Sequence, residues 1–417
     1  MSLFQIFTIL LVLTAAFSYI NQSTLRLPTS IGIMLFALVT SLLFLILQYA
    51  GVGWAAEIAN QALDRLAFND TLLHGVLGYL LFAGALFVNL DELLQRKGII
   101  TLLALVGTLL SAVMVAGLAY GATALLGLKL PLLYCLLFGI LISPTDPISV
   151  LGILRRLGVP RAFEVKITGE SLFNDGISVV LFLTLLGIVK GEEIDAGAMS
   201  GLFLLEVGGG VLLGVGLGTG CYWLLKRIDE YSVEILLSLA LVTGGYALAD
   251  ALHMSAPIFA VTAGLLIGNV GRQWAMSNLT REHLDKFWEL VDELLNALLF
   301  ALLGLEMLTM NWSGSHVAFG LLMVPVVLVA RFLSVSAIVQ PLRLTREFPP
   351  WMIRLLTWGA LRGGISVALA LSLPAGPSRD VIVAATYIVV VFSILVQGLT
   401  LERLVRSAGF LTTADGK

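Results

Sequence analysis

The chain has 417 residues, of which 59% are hydrophobic and 12% are charged, and its mean hydropathy is +1.00. A soluble protein of this length carries about twice that charged fraction, so the composition excludes a water-soluble chain and indicates a lipid environment. The net charge of −3 gives no sign of nucleic-acid binding. Two cysteines in apolar runs, and four histidines without metal-binding spacing, give little support to a disulfide scaffold or a metal enzyme.

Apolar runs long enough to cross a bilayer predict about thirteen helices, and therefore an all-α polytopic membrane protein. The more polar residues 51–71 are interpreted as a surface helix, and residues 404–417 as a short cytoplasmic tail. The first run lacks a basic n-region and a cleavage site, so we expect it to be retained. The predicted spans are 3–21, 28–48, 72–90, 98–124, 130–153, 162–189, 199–225, 232–251, 256–271, 288–309, 315–340, 350–374 and 380–402.

Lysine and arginine are spread unevenly over the segments that connect these spans. With the N-terminus outside and an odd number of crossings, most of these residues fall inside, and only Arg65, Lys129, Lys190 and Arg379 fall outside. The positive-inside rule requires such an imbalance. The sequence therefore predicts an outside N-terminus and a cytoplasmic C-terminus.

Two predicted spans are interrupted at membrane depth. The fifth contains Ser143-Pro144-Thr145-Asp146-Pro147, and the twelfth contains Leu361-Arg362-Gly363-Gly364. Unwound backbone is tolerated inside a membrane where it lines a cavity or is buried in protein. The thirteen spans divide into a first set of six, one further span and a last set of six, and each break lies in the fifth span of its set. This is the count expected of an inverted-topology repeat. Paired breaks of this kind indicate a transporter site at the midplane.

The sixth span contains the most polar stretch, GESLFNDG at 169–176. A charge at bilayer depth costs at least roughly 2.5–3.5 kcal/mol on insertion scales, so these residues predict a functional site. Glu170 and Asn174 are four residues apart, as are Ser171 and Asp175, so all four form one polar patch on a helix.

With Thr145 and Asp146 from the fifth span, this patch supplies only oxygen ligands. Such a set suits a small hard cation and disfavours transition metals. We therefore expect Na⁺ or Li⁺ at Asp175, Asp146, Thr145 and Ser171, with Asn174 and Glu170 in the same site. Burial favours the neutral form of a carboxyl group. We expect Asp175 to hold either a proton or a cation, which is the simplest way to couple the two.

Arg331 and Arg362 lie within predicted spans and remain charged, so each needs a partner in lipid. The favoured pairing is Glu170 with Arg331, which leaves Asp175 free. For Glu170, a purely structural ion pair is the interpretation that competes with a role in ion binding. Arg362 is expected near the broken ends, where it balances Asp146 and helix-end carbonyl groups. Three carboxylates and two arginines leave one negative charge, which suits transport of one monovalent cation. At the inner start of the tenth span, Glu289, Asp292 and Glu293 are interpreted as a solvated helix end or a cation-attracting funnel.

These motifs resemble those of the monovalent cation:proton antiporter-1 family, which contains the archaeal and bacterial NhaP-type Na⁺/H⁺ antiporters and the animal Na⁺/H⁺ exchangers. The resemblance covers nearly the whole chain. It rests on GESLFNDG at 169–176, SPTDP at 143–147, WGALRGGISVALALSLP at 358–374, FWELVDELLNALLFALLGLE at 287–306 and ARF at 330–332.

The resemblance implies a Na⁺/H⁺ antiporter, not an enzyme, in the cell membrane of a prokaryote, with no cofactor or nucleotide. It implies ion binding by Asp175 with Thr145 and Asp146, and pairing of Glu170 with an arginine matching Arg331. The Asn174-Asp175 pair matches the electroneutral branch. The family also implies a homodimer with elevator-like alternating access, in which core helices lie in 130–189 and 288–374 and dimer-domain helices in 1–48 and 199–271.

One departure from the family concerns the third span. Some NhaP-type members carry a glutamate in a context resembling Leu81-Phe82-Ala83-Gly84, where this chain has Ala83. Three alternatives remain open. A K⁺/H⁺ antiporter would use the same site, an intramembrane aspartyl protease would use Asp146 and Asp175 but lacks its GxGD context, and a passive channel would conduct without proton coupling.

Overall fold

The computed structural model describes residues 3–27, 29–49, 76–95, 97–146, 150, 154, 157, 159, 161–191, 196–306, 312–343, 349 and 351–407. All structural statements below concern these residues. The predicted surface helix at 51–71, and the predicted tail beyond Ser407, lie outside them.

The described chain is almost entirely helical, and each predicted span corresponds to one helix or to a pair of shorter ones. Three of the described helices pass through a wider π-helical turn, at Leu102–Gly107, Ile267–Gly271 and Ser393–Gln397. The helices are α1 (Leu3–Thr24), α2 (Thr29–Tyr49), α3 (Leu77–Leu86), α4 (Leu90–Gln95), α5 (Lys97–Leu126), α6 (Leu132–Ile142), α7 (Arg161–Val189), α8 (Ala196–Leu225), α9 (Tyr231–Ala251), α10 (Ala256–Trp274), α11 (Asn278–Glu306), α12 (Gly314–Leu342), α13 (Met352–Trp358), α14 (Gly364–Leu371) and α15 (Pro377–Ser407).

Six of the described helical stretches are long and apolar enough to cross a membrane by length and composition. They are Gly98–Leu126, Phe163–Val189, Leu205–Leu225, Tyr231–Ala251, Gly314–Leu342 and Pro377–Ser407. The predicted all-α polytopic fold is therefore confirmed.

Local chemistry accounts for several helix ends. Gly127 takes a left-handed conformation with φ of 65° at the end of α5, where glycine has no steric penalty. The Ser255 hydroxyl caps the start of α10 by accepting a hydrogen bond from Ile258 N at 3.3 Å. Ser313 caps α12 in the same way through His316 N, at 3.2 Å. These caps satisfy donors that a helix end would otherwise leave without partners.

Three predicted boundaries are wrong. α11 begins at Asn278 rather than at residue 288, because its charged first turns form an amphipathic helix with an exposed Glu282–Lys286 pair. The third span is divided after Leu86, where the Asn269 side chain accepts from Leu90 N at 2.7 Å and donates to Val88 O at 2.9 Å. The first helix of the fifth span ends at Ile142, directly before the predicted break at Ser143. The last helix continues to Ser407, beyond the predicted end of its span at residue 402.

Small residues allow close helix packing around the site. A Cβ atom at Gly139 of α6 would clash with the Ala112 carbonyl of α5, and one at Gly268 of α10 would clash with the Leu86 carbonyl at the end of α3. Helices in membranes associate through such close backbone contacts. The glycines therefore hold α5 against α6 and α10 against α3.

Candidate ion-binding site

Two unwound segments meet in the interior of the protein. One follows α6 at Ser143, and the other joins α13 to α14 between Gly359 and Gly363. The backbone of Asp146 donates a hydrogen bond across to Leu361 O at 2.8 Å. The two breaks that the sequence predicts are therefore in direct contact, and each satisfies part of the other's exposed backbone.

Arg362 neutralises the end of α6. Its side chain is buried, and its Nη1 atom donates to Ser143 O at 2.6 Å and to Pro144 O at 2.7 Å. Its backbone N donates to Ser393 Oγ at 2.9 Å, which ties the same segment to α15. A guanidinium group is well placed there, because the carbonyls at a helix end carry partial negative charge.

Glu170 and Arg331 form a buried ion pair, which is the pairing that the sequence favours. Arg331 Nη2 lies 2.5 Å from Glu170 Oε1, and both side chains are almost completely buried. Arg331 Nε also donates to Leu356 O at 3.3 Å. The pair thereby joins α7, α12 and α13.

Asn174 holds the first unwound segment against α7. Its Nδ2 atom donates to Thr145 Oγ1 at 3.1 Å, and its Oδ1 atom accepts from Thr145 N at 3.4 Å. The Thr145 and Ser171 hydroxyl oxygens are 2.8 Å apart. All three side chains are buried, and Ser171 and Asn174 each bond to Thr145, so they position the backbone that leads into Asp146.

A cavity of about 70 Å³ lies where α3, α7, α11 and the two unwound segments meet. A single water needs roughly 10–15 Å³ of such space, so the cavity can hold a cation with several waters. Asp146 and Asp175 both line it. The remaining lining residues are Leu80, Leu81, Gly84, Pro144, Thr168, Leu172, Asn296, Leu299, Gly363, Gly364, Ile365 and Ser366.

Thr145, Ser171 and Asn174 stand outside this lining, one layer behind it. The structure therefore brings two of the predicted site residues, Asp146 and Asp175, to the cavity. Two carboxylates in one small buried space attract a cation. The state in which both are ionised and no cation is bound is unfavourable.

Sequence reasoning missed three polar residues of the cavity, Thr168, Asn296 and Ser366. The signal for Asn296 was available, since it is a carboxamide in an apolar run one turn after Asp292. In the structure, Asn296 Nδ2 donates to Asp292 O at 3.0 Å and to Asp292 Oδ1 at 3.3 Å. The Thr168 hydroxyl donates to Glu164 O at 2.8 Å.

The acidic start of the tenth span is not uniform. Glu289 and Glu293 are exposed, whereas Asp292 is half-buried and lies within electrostatic range of Asp146. Asp292 contacts the lining residue Asn296 but is not itself part of the cavity lining. Glu289 and Glu293 have the exposure of a solvated helix end.

Among its described residues, the third span contributes no polar side chain to the cavity lining. Ala83 is completely buried, and the lining residues from α3 are Leu80, Leu81 and Gly84. A Cβ atom built on Gly84 would have nothing within 4 Å, so the cavity has free space on this side.

Gly363 lets the second unwound segment approach Asp146. A Cβ atom on Gly363 would lie 3.0 Å from Asp146 Cβ and 3.4 Å from Oδ2. We expect Gly363→Ala to displace the Asp146 carboxylate by a few tenths of an ångström. Transport should fall, but by less than the roughly 10²-fold that a 1 Å misplacement at a reacting centre costs. Initial transport rates in proteoliposomes measure this.

The matched control is Gly84→Ala in the same cavity, where the added methyl group meets open space. It should leave folding unchanged and lower the rate far less than Gly363→Ala. Equal rates for the two variants would show that the contact with Asp146 does not matter.

Two helix breaks that meet beside a buried acidic cavity are the arrangement of a secondary transporter with discontinuous membrane helices. Residues 9–407 match the family described as "Sodium/hydrogen exchanger, transmembrane". The chain belongs to this sodium/hydrogen exchanger family, and the family resemblance of its motifs is confirmed.

Individual relatives agree with this assignment. The chain is 50% identical over 399 residues to the Na⁺/H⁺ antiporter NhaP of Pseudomonas aeruginosa, covering 94% of each protein. It is 37% identical over 353 residues to the Na⁺/H⁺ antiporter NhaH of Halobacillus dabanensis, covering 82% of this chain and 84% of that one. The solved sodium proton antiporter MjNhaP1 of Methanocaldococcus jannaschii has a TM-score of 0.76 and 18% identity, and covers 98% of this chain and 99% of its own. At that identity the structural likeness shows the shared fold.

Proposed function

We propose that this chain exchanges Na⁺, or Li⁺, for protons across the cell membrane of a prokaryote, and that Asp175 binds the two ions in competition. The observation that carries the proposal is the meeting of Asp146 and Asp175 in one small cavity between two unwound helices. The relatives named Na⁺/H⁺ antiporters in Pseudomonas aeruginosa and Halobacillus dabanensis support the choice of ions.

The charges around the cavity favour a one-for-one exchange. Glu170, Asp146 and Asp175 carry up to three negative charges, and Arg331 and Arg362 carry two positive ones. One Na⁺ or one proton neutralises the remaining charge. Because the site then crosses the membrane neutral in either state, exchange of one Na⁺ for one proton moves no net charge.

The buried polar residues around the two carboxylates have supporting roles in this proposal. Thr145, Ser171 and Asn174 hold the segment that presents Asp146. Waters in the cavity complete the cation's ligands when it binds. The Glu170–Arg331 pair stabilises the bundle.

The motion and assembly follow the family resemblance. Core helices in 130–189 and 288–374 move against a scaffold that includes 1–48 and 199–271, with the N-terminus outside and the C-terminus in the cytoplasm. Two copies form a homodimer in the lipid bilayer. The outward apolar side chains of α8, among them Leu205, Leu212 and Trp223, are available to lipid or to the second copy.

Purified protein in proteoliposomes with a pH-sensitive dye tests the proposed exchange. Adding Na⁺ or Li⁺ should move protons at a rate that is unaffected when the membrane voltage is clamped with K⁺ and valinomycin. A rate that changes with the clamped voltage would contradict one-for-one exchange. A response to K⁺ alone, measured with the voltage clamped by other means, would assign the same site to K⁺/H⁺ antiport.

A further inference from the structure

The carboxamide of Asn296 is a buried polar group of the ion cavity. Asn296 lies on α11, is 8% exposed, and lines the cavity together with Asp146 and Asp175. Its Nδ2 atom donates to Asp292 O at 3.0 Å and to Asp292 Oδ1 at 3.3 Å. Within the described chain, no donor reaches its Oδ1 atom. The nitrogen of this side chain is therefore engaged, whereas its oxygen is not.

The orientation of this planar group follows from the acceptors of Asp292. A main-chain carbonyl oxygen only accepts hydrogen bonds, so the side of the Asn296 carboxamide that meets Asp292 O carries the NH₂ group. The Oδ1 atom then lies on the other side of the group, turned away from Asp292. A buried acceptor without a partner is unfavourable. The Asn296 oxygen is therefore stabilised by a positive group that enters the cavity.

The chemistry of the cavity decides which group this oxygen meets. Two carboxylates attract a cation, and a carboxamide oxygen is a ligand that hard cations accept. Because the cavity measures only about 70 Å³, an ion held by Asp146 and Asp175 lies close to its other walls as well. The Thr168 hydroxyl of the same lining is turned toward its own helix, where it donates to Glu164 O at 2.8 Å.

Asn296 reaches the cavity from a third part of the chain, beside the second unwound segment. One turn further along α11, Leu299 touches the start of α14, since a Cβ atom on Gly364 would lie 3.3 Å from Leu299 Cβ. Asp146 and Asp175 belong to the first unwound segment and to α7. A ligand on α11 therefore adds a further direction from which the protein holds an ion.

We propose that Asn296 Oδ1 is a direct ligand of the transported cation, in place of one water of its shell, and that Asp292 positions it. The inference rests on the proposed function, because it names a further residue of the same site. Two hydrogen bonds hold the carboxamide in one orientation, so its oxygen keeps a fixed position relative to the carboxylates. A mobile water adapts to cations of any size, whereas a fixed oxygen does not. Asn296 therefore contributes to the choice among monovalent cations.

Proton release on Na⁺ binding, in weakly buffered detergent solution, tests the ligand role without transport. Asn296→Leu has a similar volume but no oxygen. We expect the Na⁺ concentration that releases half of the protons to rise by about tenfold or more, the size of one lost polar contact to a charged group. The number of protons released at saturating Na⁺ should stay the same, because Asp175 is intact. A general disruption of the cavity would lower that number.

Two further variants keep the test decisive. Asn296→Ala leaves room for a water in place of the oxygen, so its midpoint should rise less than that of Asn296→Leu. It also serves if Asn296→Leu does not fold. Asp292→Ala removes one of the two acceptors but keeps the main-chain carbonyl, so Asn296 stays oriented and the midpoint should again rise less. An effect of Asp292→Ala as large as that of Asn296→Leu would mean that Asn296 acts only through Asp292, which overturns the ligand role.

The choice among cations has a separate readout in proteoliposomes. The ratio of the half-saturating Li⁺ and Na⁺ concentrations should differ between Asn296→Leu and the wild type, because a fixed ligand acts unequally on ions of different size. An unchanged ratio would overturn the selective role. Midpoints of both Asn296 variants equal to that of the wild type would overturn the ligand role alone. Absence of Na⁺-driven proton release from the wild type would overturn the proposed function, and this inference with it.

Discussion

Asp175→Asn is expected to reduce Na⁺-driven proton movement to the level of empty liposomes. The carboxamide has nearly the shape of the carboxylate, but it binds neither a proton nor a cation through charge. Asp146 and the Glu170–Arg331 pair remain in place, so the cavity survives and only the exchangeable charge is lost. Dye-reported proton movement after addition of Na⁺ measures the effect.

The loss should not come from unfolding. A buried carboxylate beside a second one is costly, so removing its charge is expected to leave the melting temperature in detergent unchanged or higher. The exposed variant Glu402→Gln, at the end of α15, serves as the control for expression and reconstitution. Undiminished exchange by a well-folded Asp175→Asn would mean that the ions bind elsewhere.

Glu170→Gln is expected to destabilise the folded protein by about 3–5 kcal/mol, the cost of leaving one member of a buried ion pair without its partner. Arg331 would remain charged and buried. Among the described residues, Leu356 O would still accept a hydrogen bond from its Nε atom. A large fall in the melting temperature in detergent should report this. Transport per folded molecule should be less affected, because Glu170 does not line the cavity.

Two variants separate a lost ion pair from a general intolerance of substitution. Glu282→Gln breaks the exposed Glu282–Lys286 pair on α11 and should leave stability unchanged, since exposed pairs contribute little. The double variant Glu170→Met with Arg331→Met removes both charges and should recover much of the lost stability. If the double variant is no more stable than Glu170→Gln, the unpaired arginine is not the cause.

Most of the fold could be predicted from the sequence because long apolar runs in a bilayer leave the chain few alternatives to helix. The boundaries were harder where tertiary contacts decide them. The division after Leu86 depends on Asn269, which lies far along the chain. The early start of α11 depends on charged residues that resemble a loop in composition but form one face of a helix.

The sequence predicted the set of residues around the candidate site, but not which of them line the cavity. Proline, glycine and buried charge identified the two breaks, and charge balance favoured the pairing of Glu170 with Arg331. Which oxygen atoms reach the cavity depends on side-chain packing, and so the sequence did not separate Asp146 and Asp175 from Thr145, Ser171 and Asn174 behind them. Asn296 was missed because its helix turn was interpreted through the charged residues that precede it.

The competition between a cation and a proton at Asp175 is tested most directly by proton release on cation binding. Purified protein in weakly buffered detergent solution receives Na⁺ at a pH where the site is protonated, and a dye reports the protons set free. We predict one proton released per Na⁺ bound by the wild type, and none by Asp175→Asn. Na⁺ binding by the wild type without proton release, or equal release by Asp175→Asn, would contradict the account.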